Sequence, residues 1–204
     1  MSEPGIHEII QWGHASFTLP GEKKSGDVHV VKRFQDGVLV GVIDGLGHGS
    51  EAEVAAKAAV SVLERYPHES VMSLLRRTHE ELRMTRGVVM SLASINTVEH
   101  TMTWLSVGNV EGILLRADRN AVPSREMILL RGGVVGYQLP QPYASVHPLS
   151  RGDTLVFATD GIQNSFYDDL NIHDPAQVIA DKTCSRYCKG NDDALVLAVK
   201  YFGK

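Results

Sequence analysis

The stretch "VIDGLGHGSEA", residues 42–52, decides the fold. It ends an apolar run on the carboxylate of Asp44, continues through three glycines and a histidine, and then changes period. Upstream, "VHVVKRF" (28–34) and "GVLVGVI" (37–43) are rich in β-branched residues and meet at a "QDG" turn signal, which predicts a β-hairpin. Downstream, Ala52, Ala55, Ala56, Ala59 and Leu63 recur at helical spacing. Such a narrow stripe of small residues lets a helix lie close against a sheet. Ser50 and Glu53 have the spacing of a capping box, so the helix is expected to begin about six residues after Asp44.

Further along, Val71, Leu74, Leu75 and Leu82 predict a second helix over about 70–83, with Gly87 beyond its end. Three strand-like segments follow, "GVVMSLASINT", "TMTWLSVG" and "EGILLRA", and their short connections predict an antiparallel meander. Residues 118–150 carry many glycines and prolines and read as a loop-rich excursion with one short strand at "EMILL". "DTLVFATDG" is a strand ending at Asp160. Asp174-Pro175 is a helix start, with aspartate as the cap and Gln177 three residues on. "ALVLAVKYF" is the last strand, preceded directly by Asp192-Asp193.

Composition narrows the function classes. With 204 residues and 43% apolar content, one domain spanning 1–204 can bury a full core. The net charge of -4 includes no basic run, which argues against nucleic acid as a partner. No apolar run is long enough to cross a bilayer, and "MSEPGIHEII" lacks a secretion pattern, so the expected location is cytoplasmic, with no membrane partner. Cys184 and Cys188 lie four apart in a predicted helix and read as ordinary reduced thiols, since two thiolates alone do not complete a zinc site.

The chemistry sits in the acids. Asp44 and Asp160 end strands and precede glycine, while Asp192 and Asp193 begin one, and antiparallel neighbours can bring such ends together. Taken singly, each is an ordinary turn former. Converging carboxylates repel one another unless cations neutralise them, and an oxygen-only ligand set suits Mg²⁺ or Mn²⁺. Gly45 leaves room for its own backbone carbonyl to join the shell.

Four ordered motifs, "SGD" (25–27), "DGLGHGSEA" (44–52), "ATDG" (158–161) and "NDDALVLAV" (191–199), resemble the metal-dependent protein phosphatases of the type 2C (PPM) class. The short form with "SVGN" (106–109) is most similar to bacterial stress-response members. The resemblance implies an α+β fold, an α-β-β-α sandwich of two antiparallel sheets flanked by helices. It implies two Mn²⁺ or Mg²⁺ ions, with Asp44 bridging them, Gly45 giving its carbonyl, Asp160 and Asp192 completing the second ion, and Asp27 acting through a bound water. Asp193 is either a supporting group or exchanges roles with Asp192. Two cations roughly 3.5–4 Å apart would make a shared water the nucleophile, so no phosphoenzyme is needed.

The implied activity is phosphoserine/phosphothreonine protein phosphatase, and the implied partner is a phosphorylated regulatory protein of a stressosome or partner-switching complex, including stressosome scaffold proteins. A catalytically weak metal-binding regulatory module and a small-phosphoester hydrolase stand as alternatives. The leaving alkoxide takes its proton from a metal-bound water or from a histidine. His48 is the nearest in sequence, although a helix start disfavours imidazolium. The pattern departs from the family at Gly108-Asn109-Val110-Glu111, where many members carry Gly-Asp-Ser-Arg. A neutral amide is a poor ligand for a hard dication, which leaves a third ion without its aspartate.

Overall fold

The computed structural model describes residues 9–118 and 120–203. Residues 1–8, most of the segment read for a secretion signal, lie outside them. In chain order the strands are β1 (Ile10–Phe17), β2 (Asp27–Phe34), β3 (Gly37–Gly45), β4 (Val88–Asn96), β5 (Thr101–Val107), β6 (Glu111–Leu115), β7 (Arg125–Met127), β8 (Ser145–Pro148), β9 (Thr154–Ala158) and β10 (Ala194–Tyr201). The α-helices are α1 (Ser50–Arg65), α2 (Val71–Glu81) and α3 (Ala176–Tyr187), with a 3₁₀ segment at Asn164–Asp169.

The strands form two wholly antiparallel sheets, ordered β2-β3-β4-β5-β8 and β1-β10-β9-β6-β7. Helices α1 and α2 cover the first sheet and α3 the second, which is the expected α-β-β-α sandwich. Three apolar layers result. Val38, Val40 and Val42 alternate toward the second sheet and, with Trp104 of β5, join Phe157 and Leu197 from that sheet. Leu39 and Ile43 point the other way, onto Ala55, Ala56, Ala59 and Leu63 of α1. Strand β3 is therefore buried on both faces, the reason its sequence is a continuous apolar run with no polar alternation. Ile179 and Ala180 of α3 close the third layer against Val196 and Ala198. Each fully buried leucine or isoleucine in these layers contributes about 1.5–3 kcal/mol.

Several expectations need correction. The meander stops at β5: β6 pairs with β9 and β7, so the chain crosses between sheets at Gly108–Val110. Gly108 permits that crossing, with φ 97°. The capping box does not form. Gly49 is the cap residue of α1, without a side-chain bond, and the Glu53 carboxylate is held instead by Lys24 and Lys57, each at 2.7 Å. At α3 the cap falls on Pro175, one residue later than expected, and Asp174 pairs with Lys182 at 2.8 Å. Strands β1 and β8 were not anticipated. Cys184 and Cys188 are both free thiols.

Candidate active site

The register of the central hairpin sets the first pair of acids. Asp27 lies opposite Asp44, both at the strand ends nearest the α1 loop. Asp160 lies two residues past the end of β9 and Asp192 precedes β10 by two residues, so the β9–β10 pairing brings these two acids together from the second sheet. Asp44, Asp160 and Asp192 line one open cavity of about 200 Å³, together with Leu46, Gly47, His48, Val89 and Asn109. The sandwich thus brings together, at one rim, carboxylates that are far apart in the chain.

Close backbone approach shapes this rim. A methyl group added at Gly45 would lie 2.2 Å from the carbonyl oxygen of Ala52 in α1, so only glycine lets the helix start pass over the strand end. Gly161 is similar, its added methyl lying 2.0 Å from the Asp193 carbonyl oxygen. Gly45 N–H donates to the Gly26 carbonyl at 3.1 Å, which ties the "SGD" turn to the Asp44 loop.

The acids differ in their partners. Asp27 is buried and accepts a hydrogen bond from Thr159 Oγ1 at 2.7 Å. Thr159 Oγ1 in turn accepts from Leu195 N–H at 2.8 Å. Asp160 accepts from Asn109 Nδ2 at 2.7 Å, so Asn109 orients the acid as well as serving the crossing. Lys189 Nζ donates to the Asp160 main-chain carbonyl at 2.6 Å.

Asp193 has a different task from its neighbour. Its two carboxylate oxygens accept from Leu19 N–H and Gly26 N–H, both at 2.8 Å, which anchors the loop carrying Asp27. Asp192 instead faces the cavity while its Oδ1 accepts from Asp193 N–H at 2.8 Å. His48 stands at the cavity edge, its Nδ1 2.6 Å from Glu22 Oε1. Thr159, Glu22 and Lys189 were missed from sequence. Thr159 lies inside the quoted "ATDG" motif and was open to notice, whereas the other two carry no spacing signal.

Electrostatics match a cation site. Burial, with the neighbouring acids adding to it, pushes Asp44 up to about 9. Asp27 is raised to about 7, chiefly by burial, with the Thr159 hydrogen bond opposing and Asp193, Asp160 and Asp192 reinforcing. Carboxylates held this far above 3.8 are short of positive charge. Among the described residues no three acidic, histidine or cysteine side chains form a ready-made metal cage.

Two facing antiparallel sheets with outer helices and an acid rim at one end define the PPM-type phosphatase architecture. The chain belongs to the Stage II sporulation protein E (SpoIIE) family, which it matches over residues 35–202. Among curated proteins it is 34% identical over 108 residues to the phosphoserine phosphatase RsbX of Bacillus subtilis (strain 168), a match spanning 53% of this chain and about half of that relative, 54%. Among solved structures, one described under the bacterial stressosome is 26% identical with a TM-score of 0.84, covering 94% of this chain and 99% of the other. RsbX in complex with magnesium shares the fold, at 24% identity and a TM-score of 0.84 over 97% and 98% of the two chains. No described helix is long and apolar enough to cross a membrane.

Proposed function

We propose that the protein is a metal-dependent phosphoserine/phosphothreonine phosphatase, a single domain acting on a phosphorylated regulatory protein of a bacterial stress-signalling complex. The observation that carries this reading is the meeting of Asp44, Asp160 and Asp192 in one open cavity, with Asp27 buried beside Asp44. Membership of the SpoIIE family and the identity to RsbX support it, as does the stressosome-related structure, and the proposed location is the cytoplasm.

The rim would hold two Mg²⁺ or Mn²⁺ ions, which when bound would lower the pKa of a water so that hydroxide is available to attack phosphorus, and would set positive charge against the phosphoryl oxygens. The residues hold and orient. Asp44, Asp160 and Asp192 present ligand oxygens with the Gly45 carbonyl, and Asn109 fixes the Asp160 rotamer. Thr159 occupies one oxygen of Asp27 and leaves the other for an ordered water. Asp193 keeps the Asp27 loop in place through Leu19 and Gly26. His48, oriented by Glu22, is positioned to return a proton to the leaving serine or threonine oxygen.

The test is hydrolysis of a phosphorylated candidate partner and of p-nitrophenyl phosphate, with Mn²⁺ and with chelator, by the wild type and Asp44→Asn. Turnover is expected to need the metal and to fall about 100-fold or more in the variant, whose fold persists. Chelator-resistant activity unaffected by Asp44→Asn would contradict the reading.

A further inference from the structure

Among the described residues no lysine or arginine lines the acid cavity, and the cations on the surrounding elements are differently committed. Lys24 and Lys57 both pair with Glu53 at 2.7 Å, and Lys189 is spent on the Asp160 carbonyl at 2.6 Å. Arg86, in the connection between α2 and β4, is placed differently. A methyl group added at Gly47 would lie 2.8 Å from Arg86 Nη1, and Gly47 itself lines the cavity with Asp44, Asp160 and Asp192. The guanidinium therefore lies against the Gly47 turn of the acid loop, while it lines a separate cavity with Ser50, Glu51, Val54, Met84 and Thr85.

Its backbone is pinned there. Leu46 N–H donates to the Gly87 carbonyl at 3.1 Å, and Gly87 N–H donates to Thr85 Oγ1 at 3.0 Å. Thr85 Oγ1 donates onward to the Leu82 carbonyl at 2.7 Å, which fixes the turn to the end of α2. The side chain, by contrast, is half-exposed and ion-paired with Glu51, itself exposed in the first turn of α1. An exposed pair of this kind is weak, whereas a guanidinium offers phosphate a planar, bidentate fork. A rigid anchor with a releasable side chain beside a metal cavity is suited to gripping a substrate's phosphoryl oxygens.

We propose that Arg86 leaves Glu51 to bind the non-bridging oxygens of the substrate phosphate at the mouth of the acid cavity. This rests on the phosphatase reading above and adds its phosphate-binding side chain. It makes Arg86 a substrate-binding residue and Glu51 its competitor in the resting protein.

The test is calorimetric titration of inorganic phosphate onto the Mn²⁺-loaded protein, paired with p-nitrophenyl phosphate kinetics, in the wild type, Arg86→Ala, Arg86→Lys and Glu51→Gln, with melting curves for each. Arg86→Ala is expected to weaken phosphate binding and raise KM about 10-fold while kcat changes less than about threefold. Arg86→Lys should recover part of this, and Glu51→Gln should weaken neither. Phosphate affinity unchanged in Arg86→Ala, no measurable phosphate binding by the wild type, or a loss in Glu51→Gln equal to that in Arg86→Ala would overturn the inference. Wild-type protein that binds phosphate through Arg86 yet hydrolyses no phosphoester would instead remove the phosphatase reading alone.

Discussion

Asp44 concentrates the chemistry of the rim in one side chain. In the metal-free protein it and Asp27 hold protons to about 9 and about 7, against 3.8 for an ordinary aspartate. The folded state then binds more protons than the unfolded one, so this contribution to stability is complete below about pH 4 and is lost as pH rises through about 7 and 9. The metal-free protein should therefore melt at a lower temperature at about pH 8 than at about pH 6, by a few degrees for each kcal/mol involved. Mn²⁺ competes with those protons and should raise the melting temperature more at the higher pH. Asp44→Asn should flatten the metal-free pH dependence, and a profile equally steep in the variant would show that other groups cause it. The adjacent acids Asp192 and Asp193 separate by role. Asp193→Ala strands the Leu19 and Gly26 amides and should cost about 1–3 kcal/mol in chemical denaturation, whereas Asp192→Asn should leave stability nearly intact and weaken Mn²⁺ binding. Equal losses of stability in the two would contradict that division.

At the scale of elements, the contact of α1 with the end of β3 is the joint on which the rim depends. Gly45→Ala places a methyl 2.2 Å from the Ala52 carbonyl oxygen, an overlap that backbone must relieve. The expected loss is about 1–3 kcal/mol, with weaker Mn²⁺ binding because Asp44 moves with the strand end; both are readable by melting and metal titration. Wild-type stability in that variant would mean the helix start sits farther from the sheet. This joint was legible in "VIDGLGHGSEA", since the alanine stripe and the glycines both signal close approach. The hairpin, α2, β4, β5, β9 and β10 were legible for the same reason: their periodicity is local. Strand β1 was not. Gly13 and the polar Gln11, His14 and Ser16 interrupt its pattern, and Gly13 is there because α3 crosses it, a methyl at that position lying 2.4 Å from Gln177 Cα. The capping box failed because Lys24, distant in sequence, competes with the backbone for Glu53.

At the scale of the whole molecule, the site exists because two sheets end at the same edge. Asp27 and Asp44 come from one sheet, Asp160 and Asp192 from the connections of the other, and no local spacing announces that the two sheets face each other. The crossing at Gly108–Val110 illustrates the difficulty: periodicity finds β5 and β6 but does not reveal that they belong to different sheets. The resemblance of four ordered motifs supplied the pairing that periodicity lacked, and family membership over residues 35–202 agrees with it. Asp193, Thr159 and Asn109 acquired their roles only in three dimensions, through bonds spanning the two sheets or adjoining loops. The most direct measurement is anomalous diffraction from crystals of the protein grown with Mn²⁺. Two manganese peaks held between Asp44, Asp160 and Asp192 are expected. Well-ordered carboxylates at saturating Mn²⁺ with no manganese between them would contradict the account.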